Sequence, residues 1–270
     1  MRAKALLLRM LRLLTVAAAA YLGFRWLEPQ GLGWVVFLVA GLGVAAWIGF
    51  RAVRIRRARA EDAQADRWAE ALLVPEKRPE AMREIEAERA LRQPENPKHA
   101  EDHARLTLVL AELLEAEGET DRALEALSEV ALARLPDALR GATLHARAIA
   151  HLSAGDPDGA ADALDAIGGA TGVRDVDLRV RLARGLVHVE RGEPEEALIV
   201  ADEVRQESDG DRHLELEARV LKAVALAETD REAALKAMAA IDDEMLEVLV
   251  VLGLPRVRAL ADDALGARDA

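Results

Sequence analysis

An internal repeat with a period of 37 residues is the feature that most constrains this chain. Alanine recurs at this spacing four times, and a branched aliphatic side chain recurs seven residues after each alanine. The matching positions are Ala123, Ala160, Ala197 and Ala234, followed by Val130, Ile167, Val204 and Ile241. A repeat of this length is one supersecondary unit that cannot bury its hydrophobic face alone. The repeat therefore predicts a stacked array of about four units.

Each unit is predicted to form two helices around a turn. In the third unit, the turn Gly192-Glu193-Pro194 separates the predicted helices Leu178 to Arg191 and Glu195 to Arg205. Glycine ends a helix because it tolerates a left-handed backbone, and proline begins one because its missing N–H would be unpaired there anyway. The same type of turn, with glycine first and proline last, occurs one unit earlier as Gly155-Asp156-Pro157. The expected fold class is all-α, with helix pairs over residues 101–241.

The pattern within each unit resembles tetratricopeptide repeats. It combines a small residue in the first helix, glycine at the turn, alanine early in the second helix and a large apolar residue four positions later. The segment from Arg191 to Leu198 matches best. The chain departs from the family in its period, since 34 residues are usual, and in its fourth unit, where Lys222 and Thr229 replace a small residue and glycine. Other helical-hairpin repeats are the alternative.

The resemblance implies an α-solenoid with a groove, lined by the first helix of each pair, that receives a peptide or a partner's helix. The residues expected to face this groove are Leu108, Glu112, His145, Ile149, Leu182, Leu186, Arg219 and Ala223. The competing interpretation is that many of them pack against neighbouring repeats or against capping helices, which are predicted over residues 242–270.

Two hydrophobic segments precede the array, and they predict transmembrane helices at about residues 8–27 and 30–50 within a membrane anchor at 1–57. The uncharged stretch Pro29–Phe50 matches the roughly 20 apolar residues that a spanning helix needs. Basic residues flank the two segments, which predicts that both ends are cytoplasmic. A cleaved signal peptide is the alternative for the first segment. Residues 58–100 are expected to form a juxtamembrane helical linker.

Charge divides the chain at the same boundary. Residues 1–60 carry a formal charge of +9 and residues 61–270 carry −21, so the acidic part would be repelled by nucleic acid. The chain has no cysteine, which excludes disulfides and thiolate chemistry. His151 and His188 share one repeat position and are expected to pack in the core. We predict no enzyme active site, no cofactor and no metal.

Two functions from different classes fit these features. The first is a scaffold or assembly factor that holds a soluble protein client at the cytoplasmic face of a membrane. The second is a non-catalytic subunit of a membrane complex, whose transmembrane hairpin contacts partner spans through Gly31, Gly33, Gly41 and Gly43. Arginine outnumbers lysine 31 to 5, which is typical of a GC-rich bacterial genome. An integral protein of the bacterial inner membrane is the expected localisation.

Overall fold

The computed structural model describes residues 64–94, 96, 99–252 and 254–268. The chain divides into two compact units, Met1–Asp66 and Arg67–Ala270, and almost all described residues belong to the second. The two predicted spans lie outside the described residues. Among those that are described, no helix is both long and apolar enough to cross a membrane.

The described part is all-α and contains no strand. Helix α1 covers 64–73 and is followed by a 3-10 turn at Pro75–Lys77 and by α2 at Arg78–Ala90. The helices that follow are α3 (Ala100–Ala116), α4 (Thr120–Ser128), α5 (Asp137–Ser153), α6 (Pro157–Asp165), α7 (Arg174–Glu190), α8 (Pro194–Glu207), α9 (Arg212–Ala227), α10 (Arg231–Met238), α11 (Asp243–Leu252) and α12 (Pro255–Arg268). A second 3-10 turn, Leu132–Arg134, lies between α4 and α5.

Helices α3 to α10 form four successive pairs. The second helices α4, α6, α8 and α10 begin at Thr120, Pro157, Pro194 and Arg231, 37 residues apart. Within each pair the two helices pack together, and each of α4, α6 and α8 also packs on the first helix of the next pair. The first helices α3, α5, α7 and α9 contact one another in the same order. The side chains of the first helices therefore share one face of the array.

The repeated small residues lie where helices meet. Ala123, Ala160, Ala197 and Ala234 all have 0% exposure, because a compact side chain lets neighbouring helix axes approach closely. The turn glycines take the left-handed backbone that the sequence predicts, and Gly155 has φ of 73°. Asp156 then caps α6, since its carboxylate accepts the backbone N–H of Gly159 at 2.9 Å.

The fourth first helix is displaced by one residue relative to the period. Helix α9 begins 38 residues after α7, and the preceding turn contains two left-handed residues, Asp209 at φ 56° and Gly210 at φ 83°. Lys222 therefore takes the place that Arg184 has one unit earlier: its Nζ lies 2.9 Å from the Asp202 carboxylate, as Arg184 lies 3.5 Å from that of Asp165. The small residue of this unit is Ala223, which is fully buried.

Helices α1 and α2 pack on the first helix pair rather than extending away from it. Ala71, Ala81 and Ile85 are buried in the same cluster as residues of α3 and α4. Arg78, at 4% exposure, donates to the carbonyl oxygen of Leu72 and to that of Ala116, both at 2.9 Å. Its guanidinium thus joins the C-terminal ends of α1 and α3.

The C-terminal helices contact both ends of the array. Helix α12 packs on α9 and α10, and Val257, Leu260, Ala261 and Ala264 are buried in the core cluster of these helices. Helix α11 lies next to α12 but also contacts α3, the first helix of the first pair. The segment that follows the repeats therefore crosses the face formed by the first helices.

Candidate partner-binding groove

The shared face of the first helices forms a groove that contains a cavity of about 510 Å³. Apolar side chains supply most of its walls, and a few polar groups point into it, which is the usual composition of a ligand site. The side chains that line it include Leu108, Glu112, His145, Ile149, Val176, Arg179, Leu182, Leu186, Leu216, Glu217, Val220, Leu249, Leu254 and Val257.

Six of the eight residues that the sequence places in a groove line this one cavity: Leu108, Glu112, His145, Ile149, Leu182 and Leu186. The other two do not line it. Arg219 is exposed to solvent and Ala223 is buried in the helix core. The displacement of α9 by one residue explains both positions, because Val220 rather than Arg219 then aligns with Leu182.

One ionisable group from each first helix lines the 510 Å³ cavity of the groove. Glu112 lies on α3, His145 on α5, Arg179 on α7 and Glu217 on α9. Arg179 Nε lies 3.2 Å from Glu217 Oε1, which makes an ion pair between neighbouring helices. The spacing from Arg179 to Glu217 is 38 residues, so the displaced register of α9 creates this pair. The 37-residue period alone does not predict this pair.

Burial in the groove disfavours the charged forms of its ionisable side chains. Burial, together with the positive charge of Arg179, lowers the pKa of His145 to about 4. Burial raises the pKa of Glu112 and the pKa of Glu217, although the charge of Arg179 opposes both increases. These directions are the ones expected of groups that lose water on folding. His145 is therefore neutral at pH 7.

A second cavity of about 300 Å³ continues the groove toward α1 and the first pair. It shares Glu112, His145 and Ile149 with the larger cavity. Burial raises the pKa of Glu115 here, and the Ser153 and Thr120 hydroxyls and the charge of Arg258 offset part of this effect. Glu115 Oε1 is buried and has no hydrogen-bond partner. A buried oxygen without a partner is costly, and a bound cation would relieve that cost.

The histidines at the shared repeat position are not core residues, so that prediction is wrong. His151 Nδ1 lies 2.9 Å from the Asp156 carboxylate, and His188 Nδ1 lies 2.7 Å from the Glu193 carboxylate. Both side chains are about one-third exposed. Each histidine sits in the last turn of a first helix and bonds an acid in the following turn, which fastens the two helices of its pair.

The fold and the groove define a class: in its described part, the chain is an all-α protein made of serially packed helix pairs. Comparison with family models, with curated proteins and with solved structures found no match to this chain. Within the described residues, no group of three or more His, Asp or Glu side chains is arranged to hold a metal ion. The groove is the candidate functional site.

Proposed function

We propose that this chain is a membrane-anchored scaffold with a tetratricopeptide-like array, whose groove binds an amphipathic helix of a protein client. One observation carries the proposal: side chains from all four first helices line a single, largely apolar cavity. Apolar anchors at helical spacing are what a groove of this kind recognises. The predicted anchor at residues 1–57 would hold the client at the cytoplasmic face of the bacterial inner membrane.

The size of the groove supports a helix rather than a small molecule as its ligand. The two cavities share several walls and together run from α1 to α12. A client helix could place two or three side chains in them, one turn apart. Interfaces of this kind concentrate their binding energy in a few central anchors. Ile149 is such a position, because it lines both cavities.

A matched pair of substitutions tests the proposal. Ile149→Glu places a charge in the groove, whereas Ile199→Glu makes the same change at a side chain on α8 that is 60% exposed. The full-length tagged protein and both variants are purified from native membranes in mild detergent, and the proteins that accompany them are quantified. We expect the client to be retained by Ile199→Glu and reduced at least about 30-fold by Ile149→Glu, the loss of one central anchor.

The same experiment distinguishes the rival function. If Ile149→Glu retains every protein that the wild type retains, the groove is not the contact surface. The structural-subunit hypothesis, in which the transmembrane hairpin makes the contacts, would then be favoured. Circular dichroism of both variants controls for misfolding, since the scaffold interpretation requires that Ile149→Glu keep its helical content.

A further inference from the structure

The groove is already partly filled by the chain's own C-terminal segment. Leu249 and Leu254 line the same cavity as the side chains of α3, α5, α7 and α9. Leu254 also packs against the hydrophobic cluster that contains Ala148 of α5 and Ala183 of α7. A segment that follows the fourth pair therefore occupies the position expected of a client.

Two side chains of this segment make complementary contacts. Leu254 immediately precedes α12, and Arg258 follows one helical turn later, with its backbone N–H bonded to the Leu254 carbonyl at 2.8 Å. Leu254 enters the apolar part of the groove. Arg258 reaches α3, where its guanidinium lies 3.4 Å from the Glu115 carbonyl oxygen and its charge acts on the Glu115 carboxylate. An apolar residue and a basic residue four positions apart thus match the groove in shape and in charge.

The fit on the groove side is incomplete, whereas the opposite side of α12 is well packed. Cavities of about 510 and 300 Å³ remain beside Leu254, and Glu115 Oε1 has no hydrogen-bond partner. By contrast, Ala261 and Ala264 of α12 have 0% exposure in the core with α9 and α10. Unfilled space forfeits dispersion contacts that a better-fitting ligand would gain. The segment is therefore well packed where α12 contacts α9 and α10, and incompletely packed where it contacts the groove.

The charges of the groove favour a basic ligand over an acidic one. Arg179 is engaged by Glu217 at 3.2 Å. Two carboxylates of α3 then remain, Glu112 in the wall that the two cavities share and Glu115 in the wall of the smaller cavity, and burial raises the pKa of each. A cation placed between them would recover interaction that these acids lose by leaving water.

We infer that Leu249, Leu254 and Arg258 act as an intramolecular ligand of the groove, and that the client is a helix with an apolar side chain followed four residues later by Arg or Lys. The client displaces the segment and takes over the sites of Leu254 and Arg258. This inference rests on the proposed function, since it specifies the client of the same groove. A tethered competitor of this kind acts at an effective concentration in the millimolar range, so it weakens every external ligand until it is released.

A peptide taken from the chain itself provides the probe. A fluorescent peptide with the sequence of residues 243–264 is titrated against the full-length protein in detergent micelles, and binding is followed by fluorescence anisotropy. Leu254→Asp in the protein expels the internal segment from the apolar site. We expect the peptide to bind this variant at least tenfold more tightly than it binds the wild type.

Two peptide variants supply the matched control. Arg258→Glu in the peptide should weaken binding at least tenfold, because it places an acid beside Glu115. Arg256→Glu should leave binding within twofold, because Arg256 pairs with Glu190 and Glu228 and does not line either groove cavity. Equal weakening by both changes would show non-specific charge attraction and would overturn the inference.

Equal affinity for wild type and Leu254→Asp, or binding to neither, also overturns it. If Leu254→Asp loses helical content, Arg258→Glu in the protein replaces it, with a smaller expected gain of about fivefold in the affinity for the unmodified peptide.

The peptide assay needs no client, so its outcome is independent of the co-purification test of the proposed function. Peptide discrimination with no effect of Ile149→Glu on the co-purified proteins would refute the proposed function, and the client specified here with it, but not the internal ligand. Loss of the client without peptide discrimination would refute only the internal ligand.

Discussion

The substitution Gly185→Ala tests how closely the first helices α7 and α9 approach each other. Gly185 lies on α7 at the repeat position of Ala111 and Ala148, and it is buried. A Cβ built there would lie 2.4 Å from Leu221 Cδ2 and 3.2 Å from Val200 Cγ1. Leu221 is 1% exposed, so it has little room to move. Helix α7 therefore needs glycine where α3 and α5 accept alanine.

Two opposing contributions determine the effect of Gly185→Ala. Alanine is favoured over glycine inside a helix by about 1 kcal/mol, whereas overpacking of a close-packed core costs about 1–3 kcal/mol. We expect the second contribution to exceed the first, which gives a net destabilisation of about 1 kcal/mol. For a compact unit of this size, such a loss lowers the melting temperature by about 2–4 °C.

Gly266→Ala is the matched control because no atom outside its own turn of α12 lies within 4 Å of its added Cβ. The same chemical change should stabilise the protein there, by roughly 0.5 kcal/mol near the end of a helix. Thermal unfolding of the full-length protein in detergent, followed by circular dichroism at 222 nm, compares the two variants. If Gly185→Ala raises the melting temperature as Gly266→Ala does, the close approach of α7 and α9 is refuted.

A double-mutant cycle adds a second test. Leu221→Ala alone should cost about 2–5 kcal/mol through the cavity it leaves. In that background Gly185→Ala no longer meets the leucine methyl and fills part of the space. The coupling between the two sites should be favourable by about 1 kcal/mol. A coupling near zero would mean that the added methyl group never meets Leu221.

Two further outcomes follow from the polar groups. The pKa of His145 is about 4 in the folded chain, below its ordinary value near 6.5. Between about pH 6.5 and pH 4 the unfolded chain therefore binds a proton that the folded chain does not. The free energy of unfolding falls as the pH drops through this range. The loss is up to about 3 kcal/mol, and unfolding profiles from pH 7 to 4 should be flatter for His145→Gln than for the wild type; parallel profiles would contradict the burial of this ring. Arg78→Met should lower the free energy of unfolding by about 2–4 kcal/mol, because the partly buried carbonyl oxygens of Leu72 and Ala116 lose the charged donor that the buried Arg78 supplies. Urea unfolding measures this loss, and Arg78→Lys should recover only part of it, since one ammonium cannot replace both arms of the guanidinium.

Much of the helical arrangement could be predicted from the period alone. The starts of α4, α6, α8 and α10 follow it without deviation, because alanine at a helix crossing and glycine at a turn are each demanded by local geometry. The shift of α9 could not be predicted in this way. Ala234 and Ile241 follow the displaced helix and still lie 37 residues after Ala197 and Val204, because α9 is one residue shorter than α7. The extra turn residue and the missing helical residue cancel before the next alanine.

The groove could be predicted less completely, and the reason is tertiary. Any first-helix position can be projected onto a shared face by counting, which brings Ile149 and Leu186 together. The position of the C-terminal segment follows no such rule. The apolar run of α11 must be buried somewhere, and sealing the end of the array satisfies that need as well as crossing the groove does. The two arrangements are distinguished only by the contact of α11 with α3. These helices are more than 120 residues apart in sequence.

The incomplete filling of the groove has a consequence for how tightly any client must bind. A client gains free energy only from contacts beyond those that Leu254 and Arg258 already make, because their release returns both side chains to water. The unfilled cavity volume and the unpartnered Glu115 oxygen are what a client can add. A single apolar anchor would therefore exchange with the internal segment at little gain. A helix that also places a basic group at Glu112 and Glu115 would displace it, so under the proposed function the groove would select its client by charge even though its walls are mainly apolar.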